Sequence, residues 1–150
     1  MRFLVIGLGS MGKRRIRCLK RLGYENITGF DLRLDRCKEV IERYNVEAQS
    51  DWEQVKSLDS DAWLICTPPD QHLAYAQQAC SLGRHFFTEA GVPDPKIADL
   101  INTLERSNLV GVPSCTMRYY QGPKKIRELV EAGAIGKPLL FAYHWGQYLP

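Results

Sequence analysis

A glycine-rich segment directly behind a short apolar run is the feature that most constrains how this chain can fold. Residues 3–6 are all apolar, and a continuous apolar run indicates a strand buried on both faces. The next six residues form the pattern G-x-G-x-x-G: Gly7, Leu8, Gly9, Ser10, Met11 and Gly12. In this position Gly7 permits a tight turn, Gly9 lets a phosphate group approach the backbone, and Gly12 lets a helix pack closely on the strand. The segment therefore predicts a strand, a phosphate-binding turn and a helix, with a glycine-rich turn that binds nothing as the alternative.

Apolar runs and helical stretches alternate along the first 112 residues. Five further strands are predicted, one at the apolar run of residues 62–66 and the others at residues 27–30, 46–48, 85–88 and 109–112. Apolar residues spaced three and four apart indicate helices between them, at residues 11–22, 34–44, 70–82 and 95–106, with Asp70 as the N-cap of the third. Strands that alternate with helices of this length form a parallel sheet covered on both faces. We therefore predict an α/β fold, a Rossmann-type doubly wound sheet of six parallel strands in the order 3-2-1-4-5-6.

An acidic residue stands where the second predicted strand ends. Asp31 follows Gly12 by nineteen residues, and an acid at about this distance accepts hydrogen bonds from the adenine ribose of a dinucleotide. Its charge would also repel the 2′-phosphate of NADP. Arg33 is the counter-argument, because an arginine can accommodate that phosphate. We predict that the chain binds NAD, which is favoured over NADP; the alternative for Asp31 is an ordinary loop acid.

The charge of the chain argues against a nucleic-acid partner. Its 150 residues include 20 Lys and Arg against 17 Asp and Glu, and a net charge of +3 is too small to imply such a partner. Six of the residues between 13 and 21 are basic: Lys13, Arg14, Arg15, Arg17, Lys20 and Arg21. We interpret this run as the solvated face of a helix, or alternatively as residues whose first members help to hold an anion. No aromatic or helix-turn-helix pattern accompanies the run, so no nucleic acid is expected.

Cysteine spacing and hydropathy favour a cytoplasmic location. The five cysteines are odd in number and no two have the spacing of a zinc-binding pair, so neither a disulfide framework nor a metal site is expected. Reduced thiols are typical of the cytoplasm. No stretch approaches the roughly 18 apolar residues that a membrane span needs, and the first apolar run is too short for a signal peptide. We therefore expect no membrane association.

Four stretches resemble the Gfo/Idh/MocA oxidoreductases, the group of glucose–fructose oxidoreductase and inositol dehydrogenase. The first is the glycine-rich segment through residue 14, and the second, residues 66–72, is similar to the T-P-P-x-x-H turn after the family's fourth strand. The third, residues 79–89, is similar to the passage A-L-x-x-G-K-H-V-x-x-E. The fourth, residues 117–126 and 135–138, is similar to the crossing into the family's second domain. The resemblance covers nearly the whole chain, and the turn combined with the glycine pattern is specific to the family.

The resemblance implies further site residues and an activity. It implies oxidation or reduction of a sugar, a polyol or a sugar derivative with a nicotinamide cofactor. It places Thr67, Pro68 and His72 on the nicotinamide side of that cofactor, with Glu89 as a further site residue. The plain alternatives are a strand terminator for Pro68, a solvent-facing helix residue for His72 and an exposed acid for Glu89.

The chain departs from the family pattern at one position. The family usually continues its fifth strand with Glu-Lys-Pro, and its lysine is associated with the positioning of substrate and cofactor. Here Glu89 is followed by Ala90 and Gly91, and Ala90 has no amine to donate a hydrogen bond or a proton. The resemblance places the family's proton-transfer Asp and His beyond position 150, so no catalytic residue is assigned in this chain.

The length of the chain limits its expected role. Residues 123–132 predict one amphipathic helix and residues 139–145 one strand, too little for a domain. We expect an NAD(P)-binding Rossmann domain over residues 1–117 and, over residues 118–150, the first helix and strand of a truncated domain for substrate binding and oligomerisation. The expected function is that of an NAD-dependent oxidoreductase of a small sugar-like molecule, a homo-oligomer, with this chain alone inactive. The alternative is a non-catalytic dinucleotide-binding module, a redox sensor or a scaffold.

Overall fold

A computed structural model describes residues 1–91, 95–142 and 144 of the chain. It divides into two compact units, Met1–Ser114 and Cys115–Pro150. The first unit contains one sheet with helices on both faces, and the second contains two helices within its described residues.

Six short strands form the sheet of the first unit, and every neighbouring pair is parallel. The strands are β1 (Phe3–Ile6), β2 (Ile27–Phe30), β3 (Glu47–Gln49), β4 (Ala62–Ile65), β5 (His85–Thr88) and β6 (Gly111–Pro113). Their order is β3-β2-β1-β4-β5-β6, which confirms the predicted doubly wound sheet. The edge strands β3 and β6 begin one and two residues later than predicted.

Side chains of the central strands alternate between two apolar cores, one on each face of the sheet. In β1, Leu4 and Ile6 belong to one core and Val5 to the other. Because both cores are filled, strands of only four residues are stable as continuous apolar runs, which is why the sequence shows no polar alternation in β1 and β4.

Five helices connect the strands. They are α1 (Ser10–Arg21), α2 (Leu34–Tyr44), α3 (Trp52–Lys56), α4 (Pro69–Ser81) and α5 (Ile97–Arg106). The five-residue α3 is absent from the sequence-based prediction, because it is too short to show a helical repeat. Asp70 lies inside the first turn of α4 rather than at its N-cap, since Pro69 is already helical and Pro68 takes the cap position.

The second unit begins with α6 (Thr116–Tyr119) and α7 (Gln121–Glu131), and α7 corresponds to the helix predicted at residues 123–132. The strand predicted at residues 139–145 is wrong for residues 139–142, which form no strand. Leu139, Leu140 and Phe141 are instead exposed. A lone strand cannot satisfy its backbone hydrogen bonds without a neighbour. Residues 143 and 145 of that prediction lie outside the described residues.

The four central strands end level with one another. Ile6 at the end of β1 pairs with Phe30 and with Ile65, and Ile65 pairs with Thr88. The next residue of each strand therefore emerges at the carboxyl edge of the sheet: Gly7, Asp31, Cys66 and Glu89. The strand order reverses between β1 and β4. Ligands of open α/β sheets bind outside the carboxyl ends of the strands at such a reversal.

Candidate functional site

The turn between β1 and α1 has a backbone that only glycine fits. Gly7 has a φ of +88°, and a Cβ atom added there would lie 2.8 Å from the carbonyl oxygen of Cys66. A Cβ atom on Gly12 would overlap the carbonyl oxygen of Gly7. These two glycines bring the start of α1 against the ends of β1 and β4.

Gly9 differs from these two, because the space beside it is open. The nearest heavy atom to an added Cβ is the Nη1 atom of Arg36, at 3.9 Å. Gly9 is the N-cap of α1, so the first N–H groups of the helix, on Ser10, Met11 and Gly12, have no intrahelical partner. The first turn of α1, all of it described, contains no acidic side chain. The open space and the helix N-terminus together can accept a phosphate group.

Asp31 is held against this glycine turn. Its Oδ2 atom accepts a 2.8 Å hydrogen bond from the backbone N–H of Leu8, and its Oδ1 atom accepts one of 2.9 Å from the N–H of Arg33. Asp31 is only 7% exposed. The acid is therefore part of the turn itself, and it is not an ordinary loop acid facing solvent.

The two nearby arginines have different partners. The guanidinium group of Arg33 pairs with Asp35 at 2.6 Å, and both side chains are largely exposed. Arg36 instead donates from Nη1 to Oδ2 of Asp31 at 3.1 Å. Sequence reasoning considered Arg33 and missed Arg36, whose only signal is its place in the first turn of the helix that follows Asp31.

Thr67 and Pro68 form the turn after β4, at the strand reversal, and His72 lies in the first turn of α4. The Thr67 Oγ1 atom is buried and, among the described residues, has no hydrogen-bond partner. His72 is 1% exposed, so it is not the solvent-facing residue of the plain alternative. Its Nδ1 atom lies 2.6 Å from the carbonyl oxygen of Gly91, and its Nε2 atom lies 2.7 Å from that of Thr67. The imidazole therefore connects the turn after β4 to the segment after β5.

Glu89, directly after β5, is paired with α1. Its Oε1 atom accepts a 2.6 Å hydrogen bond from Nε of Arg15, and the guanidinium group of Arg15 lies 4.6 Å from the centroid of the Phe87 ring. The side chains of Arg15 and Glu89 are 21% and 13% exposed. Glu89 is thus a mostly buried partner of α1 and not an exposed acid, while the neighbouring Ala90 is exposed.

Cys66 lies between the glycine turn and this ion pair. Burial raises the pKa of its thiol to about 12, and the carboxylate of Glu89 acts in the same direction while Arg15 opposes it. Cys66 is therefore protonated at neutral pH. It contributes packing to the site rather than a nucleophile.

Two basic residues of α1 form ion pairs with carboxylates on other elements. Lys13 pairs with Glu39 of α2 at 2.8 Å, as Arg15 does with Glu89, while Arg14 and Arg17 are exposed. Lys13 and Arg15 are therefore engaged in ion pairs, whereas the backbone N–H groups at the start of α1 have no intrahelical partner.

The residues present fit a nicotinamide dinucleotide. The open space at Gly9, the helix N-terminus beside it and the orphaned hydroxyl of Thr67 lie at the carboxyl edge of the same sheet. These features suit a pyrophosphate and a polar ring substituent.

Within the described ranges, no group of three His, Cys, Asp or Glu side chains could hold a metal ion. In the same ranges, every helix is too short or too polar to cross a membrane.

Comparisons with known proteins match these features. Residues 1–112 match the model of the Gfo/Idh/MocA oxidoreductase family, described as having an NAD-binding Rossmann fold. A myo-inositol 2-dehydrogenase of Thermotoga maritima is 28% identical over 144 residues, which are 92% of this chain and 43% of that enzyme. The structure of myo-inositol 2-dehydrogenase from Lactobacillus plantarum is similar with a TM-score of 0.83 at 22% identity, over 91% of this chain and 42% of that one.

A further structural neighbour is KijD10, a 3-ketoreductase from Actinomadura kijaniata solved with NADP. It is similar with a TM-score of 0.79 at 19% identity, over 91% of this chain and 44% of that one. The chain thus spans less than half the length of the relatives that it matches.

Proposed function

The chain belongs to the Gfo/Idh/MocA family of oxidoreductases with an NAD-binding Rossmann fold, and on that premise we propose that it holds NAD(H) at the carboxyl edge of its sheet for oxidation or reduction of a sugar-like hydroxyl. The observation that carries the proposal is the hydrogen bond from the Leu8 N–H to Asp31. This bond holds Asp31, the predicted ribose acid, beside the predicted phosphate-binding turn. The two loops can therefore bind the ribose and the pyrophosphate of one dinucleotide together.

Each proposed role follows from a position. Gly9, Ser10, Met11 and Gly12 bind the pyrophosphate through backbone N–H groups, and Gly7 shapes the turn. Asp31 accepts from the adenine ribose. Thr67 and Pro68 face the nicotinamide, and His72 and Glu89 hold the segments around it through Gly91 and Arg15. When bound, the nicotinamide supplies the hydride chemistry, and the protein supplies its orientation.

We propose that NAD is preferred to NADP. Asp31 is a buried acid at the ribose position, and its charge disfavours a 2′-phosphate. The family's description as NAD-binding supports this preference. A structural neighbour was solved with NADP, so a chain with this fold can also bind that cofactor.

The proposed division of labour places cofactor binding in residues 1–117 and the start of a substrate and oligomerisation domain in residues 118–150. Ala90 stands where the family resemblance implies a lysine, and it cannot move a proton. We therefore propose that this 150-residue chain binds cofactor without turnover. The inositol dehydrogenases among its relatives support a polyol or a sugar derivative as the substrate class.

Titration with NADH, followed by calorimetry or by cofactor fluorescence, tests the binding proposal. We expect saturation with a dissociation constant below the millimolar range, and weaker binding of NADPH. Absence of NADH binding at millimolar concentration would overturn the proposal. Reduction of NAD by the 150-residue chain with a panel of sugars and polyols would overturn the absence of turnover.

A second candidate function is a non-catalytic dinucleotide-binding module, which Ala90 favours. The two candidates differ in the product of the full reading frame. An oxidoreductase reduces NAD with at least one polyol or sugar derivative. A non-catalytic module binds NADH with the same affinity as the oxidoreductase would, but it gives no turnover with any polyol or sugar derivative.

Self-association and cellular location complete the proposal. Exposed Leu139, Leu140 and Phe141 form a contiguous apolar segment, which supports association with a second copy, and light scattering at micromolar concentration tests this. The cysteines are all unpaired, which supports a reducing cytoplasmic location. Fractionation of cells that express the protein tests the location.

A further inference from the structure

The guanidinium group of Arg36 lies between the ribose acid and the glycine turn. Its Nη1 atom is 3.1 Å from Oδ2 of Asp31 and 3.9 Å from the position that a Cβ atom on Gly9 would take. The Arg36 side chain is 38% exposed and the Asp31 side chain 8%. Arg36 is thus positioned over the part of the site that an adenine ribose would enter.

Asp31 has little remaining capacity for hydrogen bonds. A carboxylate offers about four lone-pair positions. Oδ2 accepts from the Leu8 N–H and from Arg36, and Oδ1 accepts from the Arg33 N–H. One ribose hydroxyl can bind to Oδ1, but a second must compete with Arg36 for Oδ2.

The pairing also changes the charge that a cofactor meets. A bare carboxylate repels a 2′-phosphate, and the paired guanidinium group of Arg36 weakens this repulsion without removing it. The guanidinium group can also turn from the carboxylate to the phosphate, since arginine binds either one through two N–H groups. The guanidinium group of Arg33 instead pairs with Asp35, and both of these side chains are largely exposed.

Resting on the proposed binding of a nicotinamide dinucleotide, we propose that Arg36 sets the discrimination between NAD and NADP. In this role Arg36 leaves Asp31 when the ribose enters, and it binds the 2′-phosphate when there is one. The chain therefore prefers NADH and retains measurable affinity for NADPH, which comes from Arg36 and not from Arg33.

Equilibrium binding of NADH and NADPH to Arg36→Gln tests the proposal. We expect the dissociation constant of NADPH to rise about tenfold or more, as for the loss of one charge-assisted contact. The dissociation constant of NADH should stay within about threefold of the wild-type value or fall, because Asp31 loses a competing donor. The conservative variant Arg36→Lys keeps the charge and should recover much of the NADPH affinity.

Lys38→Gln provides the matched control. Lys38 is exposed on the same helix, and the variant removes the same charge without changing a contact of Asp31. Both dissociation constants should remain at their wild-type values. A general effect of charge on phosphate binding would instead lower both affinities in Lys38→Gln and in Arg36→Gln alike, and it would overturn the proposal.

Fragments of the cofactors isolate the 2′-phosphate. Arg36→Gln should weaken binding of 2′,5′-ADP about tenfold and leave 5′-AMP unchanged. The proposal is overturned if Arg36→Gln leaves the ratio of the NADPH and NADH dissociation constants unchanged, or if Arg33→Gln raises that ratio instead. It is also overturned if the wild-type chain binds NADH but no NADPH at millimolar concentration. A wild-type chain that binds neither cofactor refutes the proposed function and this inference together, whereas the other outcomes leave NADH binding intact.

Discussion

Asp31 accepts a 2.8 Å hydrogen bond from the backbone N–H of Leu8, although 23 residues separate the two along the chain. The bond connects the loops that follow β1 and β2, and it holds the glycine turn beside the carboxylate. The same side chain thereby serves the stability of the turn and its proposed contact with the cofactor.

We predict that Asp31→Ala lowers both the free energy of unfolding and NADH affinity. The variant leaves the buried N–H of Leu8 without its acceptor, and the expected loss of stability is about 1–3 kcal/mol. Urea unfolding and NADH titration measure the two effects. Asp35→Ala is the control, because Asp35 is exposed and its ion pair with Arg33 is exposed as well. An unchanged free energy of unfolding in Asp31→Ala would show that the bond to Leu8 is not a structural element.

Two glycines of the turn should separate folding from binding. Gly9→Ala has room for its methyl group and a φ of −68°, so the free energy of unfolding should hardly change. The methyl group would keep a pyrophosphate away from the backbone, so NADH affinity should fall about tenfold or more. Gly12→Ala forces a methyl group onto the Gly7 carbonyl, which should cost about 1–3 kcal/mol or more in stability. Equal thermal midpoints for the two variants would contradict this distinction.

The regular part of the fold was predictable from the sequence, because β1 and β4 are continuous apolar runs and the long helices between strands show a three- and four-residue repeat. Helix α3 was not, since Trp52–Lys56 is shorter than two helical turns. The strand expected at residues 139–145 failed at residues 139–142 for a different reason. Apolar and aromatic composition favours a strand only where a neighbouring strand completes its hydrogen bonds.

The sequence was enough to predict which residues lie at the candidate site, but not which side chains contact each other there. The glycine pattern and Asp31 are motif positions with a fixed spacing, and the sheet brings them together. Which arginine pairs with Asp31 depends instead on where α2 begins and on which side chain near its start is directed toward Asp31. The sequence alone does not distinguish Arg36 from Arg33 in this respect. The burial of His72 likewise depends on the Gly91 carbonyl, nineteen residues away.

We predict energetic coupling between Arg15 and Glu89. Both side chains are mostly buried, and their 2.6 Å contact joins α1 to the end of β5. A double-mutant cycle with Arg15→Met and Glu89→Gln should give a coupling free energy of about 1–3 kcal/mol. Methionine keeps an apolar stem against Phe87, so the cycle reports the ion pair rather than packing.

The same cycle on Lys56 and Glu53 is the control for Arg15 and Glu89. This pair has a similar 2.6 Å contact, but its side chains are 37% and 73% exposed. Exposed pairs contribute little to stability, so its coupling should be clearly smaller. Equal couplings for the two pairs would show that burial does not strengthen the contact of Glu89.

His72→Ala should destabilise the protein and weaken NADH binding together. The imidazole contacts the carbonyl oxygens of Thr67 and Gly91, and its removal leaves a cavity and a lost donor, at a cost of about 2–4 kcal/mol. His72→Gln retains an amide donor and should recover part of both losses. Gln71→Ala is the control, because Gln71 is the exposed neighbour on the same helix. A His72→Ala variant with unchanged stability would show that the two contacts are not needed to fix the turn.

Thiol reactivity should distinguish the cysteines by exposure. Cys18 and Cys115 are exposed, whereas burial raises the pKa of Cys66 to about 12. Ellman's reagent at pH 8 should therefore modify two thiols of the native chain quickly, and Cys66 only after denaturation. Cys18→Ser and Cys115→Ser should each remove one fast-reacting thiol. Rapid modification of Cys66 in the double variant would contradict its burial.

The raised pKa of Cys66 also predicts how stability changes with pH. The thiol ordinarily ionises near pH 9.0, and in the folded chain it ionises near 12. Between these values the unfolded chain has released a proton that the folded chain retains, so the free energy of unfolding falls as pH rises. The contribution is complete below pH 9 and decreases by about 1 kcal/mol per pH unit above it. Urea unfolding at pH 8, 9.5 and 10.5 should show a steeper decline for the wild-type chain than for Cys66→Ala, and parallel declines would refute the assignment to this thiol.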